Sequence, residues 1–277
     1  MSILSKTFAW RWLRERKILQ QHRRVAAQCE DLIAKWKACP EPVSVAPKKD
    51  LGTERIIWQY WAQGYADVPQ VVRECLDSVD CYAKGWTVIR LCDANLSEYL
   101  DLPDFVQEKR PRYSIAHFSD LLRLLLLQAY GGVWLDATVQ LTGPIPEAYA
   151  ACDFFMFRRD PSDPDRKYWS KTYAYYFGWA KGFRVNVLNS IIFSRKGGKT
   201  VSDLCGLLLC WWKEHDDVPD YFFFQILFDV YGVPAGMPLV SDTLPHYLQQ
   251  SLNDPAFPLM PRAEIPRRIP MHKRSYK

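Results

Sequence analysis

Four side chains in one apolar stretch carry most of the chemical interest of this sequence: His117, Asp120, Arg123 and Asp136. The first three are spaced i, i+3, i+6 and share a face if the segment is helical. Leucines at 121, 122 and 124–127 surround them. Charged groups in such company are costly unless they are paired or used. Arginine offers a planar fork of donors and aspartate offers acceptors, a combination suited to sugar hydroxyls. The same Asp120–Arg123 pair also reads as a buried ion pair that fixes packing.

The elements that must position these residues follow from the local pattern. A helix is expected over about Ser114–Tyr130, with Ser114 as N-cap and Pro111 shortly before it. Its leucines run round most of its circumference, so it should be buried on most sides. Gly131 and Gly132 suit its left-handed termination. Val133-Trp134-Leu135 is short, apolar and β-prone, as a central strand is. Asp136 follows directly, where open α/β sheets bind ligands.

At these residues the chain resembles a known family. Ser119-Asp120-x-x-Arg123, followed by Gly131-Gly132-Val-Trp-Leu-Asp136-Ala-Thr138-Val, is similar to the bacterial capsular polysaccharide synthesis proteins. That family is related to the sugar transferases of glycosyltransferase family 32, with yeast mannosyltransferases and clostridial glucosylating toxins more distant. Ile56-Ile-Trp-Gln-Tyr-Trp-Ala-Gln-Gly64 resembles its first strand, and Asn189 in Leu-Asn-Ser-Ile-Ile-Phe its asparagine-bearing strand. Asp220-Tyr-Phe and Met271-His-Lys-Arg-Ser-Tyr-Lys277 resemble its late motifs. The resemblance covers about residues 55–277.

It implies an α/β, GT-A-like single domain with a mixed, mainly parallel sheet. It further implies a retaining, hexosyltransferase-type enzyme of polysaccharide or related glycan synthesis. A nucleotide-sugar would be the donor, a glycan or glycolipid the acceptor, and Mn²⁺ or Mg²⁺ the cofactor. By the same resemblance Asp120 and Arg123 hold the donor sugar, Asp136 takes the metal position and Asn189 lines the donor site. His272 would be a metal ligand. Lys273 or Lys277 would close over the diphosphate, and the Ile56–Trp61 strand end would hold the base through Ile57, Trp58, Gln59 and Trp61. His117 is grouped with the donor-binding residues because it shares the Asp120–Arg123 face.

One departure bears on the metal. Most GT-A enzymes carry Asp-x-Asp where this chain has Asp136-Ala137-Thr138, as some capsular relatives also do. Divalent metals of this kind want hard oxygen ligands, so a single carboxylate predicts weak binding without donor, and a metal-independent reaction also stays open. A literal Asp-x-Asp occurs at Asp163-Pro164-Asp165, but among turn formers and charges, and reads as a solvated loop. A second reading of the whole chain also follows from the lone carboxylate: a catalytically inactive nucleotide-sugar-binding scaffold in a polysaccharide synthesis complex. A third is a membrane-peripheral adaptor in such a complex, with the N-terminal helix as its main functional part.

The chain has 277 residues, 48% of them hydrophobic and 24% charged, which suits one α/β domain with or without an appendage. Aromatics reach 14%, including 11 tryptophans. Trp58, Tyr60 and Trp61 read as stacking candidates, and Trp211-Trp212 as part of a packing helix. The eight cysteines form no Cys-x-x-Cys, so neither a zinc ribbon nor a thioredoxin-type site is supported. They read as reduced, mostly buried thiols of a cytoplasmic protein without signal peptide. No Walker loop, dinucleotide fingerprint, nucleophile elbow or His-Glu-x-x-His occurs.

Net charge is +5, yet residues 1–40 carry +6 and residues 262–277 carry +5, which leaves the middle acidic. Nucleic-acid binding fits this poorly. Residues 1–39 read as a basic amphipathic helix with Leu4, Phe8 and Trp12 near one face, too polar to cross a membrane. Two readings remain for it: packing on the domain, or resting on an anionic inner-membrane surface with Trp10 and Trp12 at the interface. Residues 40–54 read as a Pro-rich linker and 55–277 as the catalytic domain. Strands at Ile56–Trp61 and Thr87–Leu91 flank a helix from Pro69 to Ala83, which predicts parallel pairing. Asp153–Phe157 and Leu188–Ser194 read as further strands, Thr200–His215 and Tyr221–Tyr231 as helices. The tail from Pro255 reads as largely irregular, with its basic end ordering over bound donor. Asp220 is a weak nucleophile candidate or a helix cap.

Overall fold

The computed structural model describes residues 3–38, 45–173 and 175–275, with side chains from Trp10 onward. Leu4 and Phe8, the start of the 40–54 linker and Lys277 lie outside that description.

The central sheet has five strands in the order β2-β1-β3-β6-β5. They are β1 (Ile56–Tyr60), β2 (Thr87–Leu91), β3 (Gly132–Leu135), β5 (Phe154–Arg158) and β6 (Val187–Ser194). β1 pairs parallel with both β2 and β3, whereas β6 runs antiparallel to β3 and β5. Four strands therefore point one way and β6 opposes them, so the sheet is mixed and mainly parallel. β1 is buried along its whole length, as an inner strand of a sheet covered on both faces should be.

One face carries four helices: α1 (Ile3–Ala38), α3 (Ile115–Tyr130), α4 (Lys199–Glu214) and α5 (Phe223–Tyr231). Trp58, Trp134 and Met156 point into this layer with the leucines of α3. The other face is covered by α2 (Gln70–Tyr82) and by a two-stranded ribbon of β4 (Val139–Leu141) and β7 (Met271–Lys273). Ile57, Val133 and Leu135 point there.

Gly131 and Gly132 are required by backbone geometry. Both have positive φ, 75° and 98°, and a Cβ on Gly132 would lie 2.3 Å from the Ile56 carbonyl oxygen. Only glycine lets the end of α3 turn this sharply into β3.

α1 is less of an appendage than its composition suggests. From Ile18 onward, Val25, Cys29, Leu32 and Ile33 join the main core, and the helix packs across α4 and α5. Trp36 sits so close to α4 that a Cβ on Gly206 would come within 2.7 Å of its Nε1. From residue 10 to residue 17 the helix is largely exposed, with Trp10 59%, Trp12 49% and Leu13 50% accessible. No described helix is long and apolar enough to cross a membrane.

Three expectations need correction. The tail is irregular only in part: residues 262–268 form helical turns, and β7 follows, paired with β4 in antiparallel register Val139↔Lys273. Asp163 is not in a solvated loop. It is 5% exposed, accepts from the Ser241 and Thr243 hydroxyls at 3.0 and 2.8 Å, and bonds the Asp165 amide at 2.8 Å. The seven described cysteines are free thiols, but only Cys29, Cys75 and Cys205 are buried.

Candidate active site

The site begins at the end of β3. The Asp136 amide donates to the Ser190 carbonyl at 2.9 Å, which ties the strand end to β6. Its carbonyl then accepts from the Val139 amide at 2.8 Å, so Asp136-Ala137-Thr138 is a tight turn into β4. β4 pairs with β7, and Arg274 N donates to Thr138 O at 2.8 Å. The ribbon thereby places Lys273 across the turn. Its ammonium donates to Asp136 Oδ2 at 2.8 Å and to Thr138 Oγ1 at 2.7 Å. Trp134, two residues before Asp136 on the same strand face, donates from Nε1 to Asp136 Oδ1 at 2.8 Å.

α3 supplies the second wall. Its N-cap is Ser114, whose hydroxyl accepts from the His117 amide at 3.2 Å. One turn on, Asp120 accepts from Asn189 Nδ2 of β6 at 2.7 Å. Arg123 lies between the two carboxylates, 3.2 Å from Asp120 and 3.6 Å from Asp136. Its other donors reach the Ser119 carbonyl at 2.9 Å and the Asn189 carbonyl at 2.6 Å. The ion pair and the ligand-facing stripe proposed from sequence are therefore one arrangement. Arg123 is spent on the protein, and Asp120 and Asp136 face the cavity with it behind them.

These environments push the two aspartates apart. Burial raises Asp120 to about 6, reinforced by the nearby Asp136 charge and only partly offset by Arg123 and Asn189. Burial acts on Asp136 too, but Lys273 and Arg123, with the Trp134 bond, outweigh it and hold the acid at about 2. Asp136 is thus a fixed anion at neutral pH, and Asp120 is close to taking a proton.

The cavity in front of them has a volume of about 680 Å³. It is lined by Asp120, Arg123, Asp136, Asn189 and Lys273 from the expected set, with His117 and Trp61 at its sides. His117 is held neutral by burial, and its Nε2 has no hydrogen-bond partner among the described residues. Sequence reasoning missed Thr138, Ser190 and Gln225 as lining residues, and Trp134 as the residue that positions Asp136. The two-residue spacing of Trp134, Asp136 and Thr138 was the signal for a shared face.

Five expected residues lie elsewhere. Ile57 and Trp58 are fully buried; Trp58 bonds the Gly131 carbonyl at 3.0 Å and packs on Tyr99 and Tyr130. Gln59 is also buried and accepts from Arg90 Nε at 3.2 Å. None of the three can stack on a base. His272 is fully buried on the far face of the ribbon, its Nε2 3.0 Å from the Thr142 hydroxyl, because ribbon neighbours face opposite ways. Burial lowers it to about 4. Asp220 lies outside this cavity and bonds the Phe222 amide at 2.8 Å just before α5, so it shapes a helix entry.

A divalent metal does not fit the side chains as they stand. Lys273 already holds the outward oxygen of Asp136 together with Thr138. His272 points away, and no group of three or more His, Cys, Asp or Glu among the described residues is arranged to hold a metal.

With this geometry in place, comparison with known proteins gives a family. The sequence profile of the capsular polysaccharide synthesis protein family matches residues 11–277, and the chain belongs to that family. It is also similar to an O-glycosyltransferase, braB, of Annulohypoxylon truncatum, 30% identical over 126 residues, which are 41% of this chain and 28% of that protein. A second relative, the O-glycosyltransferase PaGT of Phomopsis amygdali, is 26% identical over 160 residues, 53% of this chain and 36% of its own length. The matches span about a third of the length of these curated relatives.

Proposed function

We propose that this protein is a glycosyltransferase of GT-A type. It moves a sugar from a nucleotide-sugar to an acceptor hydroxyl in the synthesis of a surface polysaccharide or related glycan. The observation that carries this reading is the constellation at the end of β3. Asp120, Arg123, Asp136 and Asn189 meet at one cavity wall with a lysine opposite, in a chain of the capsular family. The relatives named O-glycosyltransferases support the same class.

In this reading the ionised Asp120 accepts hydrogen bonds from donor-sugar hydroxyls, and Asn189 orients it. Arg123 keeps both carboxylates charged in a poorly solvated wall. Trp61, beside the cavity, offers a flat apolar face to the base or the sugar. Retention of anomeric configuration belongs to the proposal: the acceptor would attack from the side the diphosphate leaves.

The exposed stretch of α1 from residue 10 to residue 17 supports a peripheral membrane position. Trp10, Trp12 and Leu13 stand among Arg11, Arg14, Arg16 and Lys17, a surface suited to anionic lipid headgroups. Such a location would suit a glycolipid acceptor.

The test is donor hydrolysis and transfer by the purified protein across a panel of nucleotide-sugars, with Asp136→Ala as control. Turnover of one donor, lost in the variant, is the expected result. Saturable nucleotide binding without turnover, with glycolipid acceptors present, would favour a donor-binding scaffold instead.

A further inference from the structure

We infer that Lys273 is the resident cation of this site and does the work for which a divalent metal would otherwise be recruited. The inference rests on the glycosyltransferase reading above and names which group faces the leaving diphosphate.

Three features of the site carry it. First, the ammonium occupies a defined position at 2.8 Å from Asp136 Oδ2 and 2.7 Å from Thr138 Oγ1, with both partners in the turn that leaves β3. Thr138 is the position where a second carboxylate would complete Asp-x-Asp. A hydroxyl there cannot supply a second negative charge to a metal, but it accepts a lysine proton well. Second, the lysine is built into the fold. Its backbone belongs to β7, paired with β4 at Val139, and the next two residues are fastened too. Arg274 Nε donates to Gln249 Oε1 at 3.0 Å, and the Ser275 amide donates to the same oxygen at 3.0 Å. Third, the protein's own side chains balance without a metal. Two aspartates face Arg123 and Lys273, so a divalent ion would have to draw its neutralising charge from the donor's diphosphate and not from this wall.

Lys273 also lines the cavity, where a donor would lie. In transfer, the bond between the anomeric carbon and the diphosphate oxygen breaks, and its electron pair stays on the diphosphate. The acceptor oxygen forms the new bond, and its proton passes to the departing diphosphate. The group that needs stabilising is that diphosphate, and an ammonium prepaid in position by Asp136 and Thr138 can stabilise it. Lysine is an established phosphate binder acting as a point charge.

The experiment measures calorimetric binding of UDP, GDP and their hexose conjugates to the full chain, stripped of metal, with EDTA and then with Mn²⁺. Direct Mn²⁺ binding is followed by paramagnetic resonance. The expected result is affinity that changes less than about twofold between EDTA and Mn²⁺, with no Mn²⁺ retained. Lys273→Met should lower affinity by about tenfold or more, and Lys273→Arg should keep most of it. Because Lys273→Met strands a half-buried Asp136 charge, the double variant Asp136→Asn/Lys273→Met is measured alongside: it should fold and still bind weakly. Affinity that rises about tenfold or more with Mn²⁺, together with retained Mn²⁺, would overturn the inference while leaving the glycosyltransferase reading standing. Absence of nucleotide binding under every condition would overturn both.

Discussion

Asn189 donates its side-chain amide to Asp120 Oδ1 at 2.7 Å, a bond from β6 to α3 across the base of the cavity. It stabilises the ionised form of an acid that burial raises to about 6. Transfer should therefore show an acidic limb near that value, as Asp120 takes a proton and stops accepting from the sugar. Asn189→Ala removes the bond and should move the limb to higher pH and lower kcat/KM by about tenfold. The pH profile of kcat/KM for the two proteins checks this, and an unmoved limb would remove Asp120 from sugar binding.

Trp58 and Trp61 should part company on substitution. Trp58→Phe loses a buried hydrogen bond and ring volume and should cost about 1–3 kcal/mol of stability. Nucleotide affinity should hardly change. Trp61→Ala should do the opposite, lowering nucleotide affinity with little effect on Tm. Parallel thermal melts and titrations decide it; a base-binding Trp58 would show the reverse pattern.

Gly132 tolerates no side chain. Its φ of 98° and the 2.3 Å approach of an added Cβ to Ile56 O put strain and collision at one position. Gly132→Ala should cost about 3 kcal/mol, lowering Tm by roughly 6–12 °C. A Tm within error of the parent would mean that the α3–β3 junction is looser than its geometry.

Acid should weaken the fold through two buried histidines. Burial lowers His272 and His246 from 6.5 to about 4 in the folded protein. Between those values the unfolded chain takes up protons that the folded chain refuses. Their contribution is complete above about pH 6.5 and declines as pH falls toward 4, by on the order of 2–3 kcal/mol each. Asp120, raised to about 6, works against this between about pH 6 and 4, because the folded protein binds its proton first. Urea melts across that range should therefore show a net decline, and His272→Gln should flatten it. A decline of equal slope in that variant would assign it to other groups.

Trp10→Ser/Trp12→Ser should reduce sedimentation with anionic vesicles by about tenfold while leaving thermal stability unchanged, because neither ring joins the core. Arg14 and Arg16 lie over these two rings at 4.8 and 4.6 Å and should add a salt dependence to the binding. Equal sedimentation by parent and variant would leave α1 as a packing element alone.

How much of this was legible in the sequence follows from how local each feature is. The α3 helix, its Ser114 cap, the glycine junction and Asp136 at the strand end were readable because their causes lie within a few residues of them. Trp58 and Gln59 were misread because a buried strand with two covered faces gives no alternation to say which face meets a ligand. His272 was misplaced for a related reason, while Lys273 beside it does line the cavity. A one-residue difference in a ribbon reverses the face, and the register comes from β4, a distant partner. β7 itself has only three residues and exists because β4 pairs with it. Asp163 looked solvated from its neighbours in sequence, and its true partners, Ser241 and Thr243, lie about 80 positions away.

The pairing of β4 with β7 also has a consequence during translation. Every strand of the central sheet has been synthesised by Ser194, yet Asp136 waits for a partner 137 positions later. A nascent chain can therefore build its central sheet while Asp136 still has only Arg123 and Trp134 as partners. A chain cut before residue 273 would carry every strand of the central sheet and a pocket without its lysine. Completion of the site thus lags completion of the sheet: the lysine that closes it emerges well after the last sheet strand, which ends at Ser194.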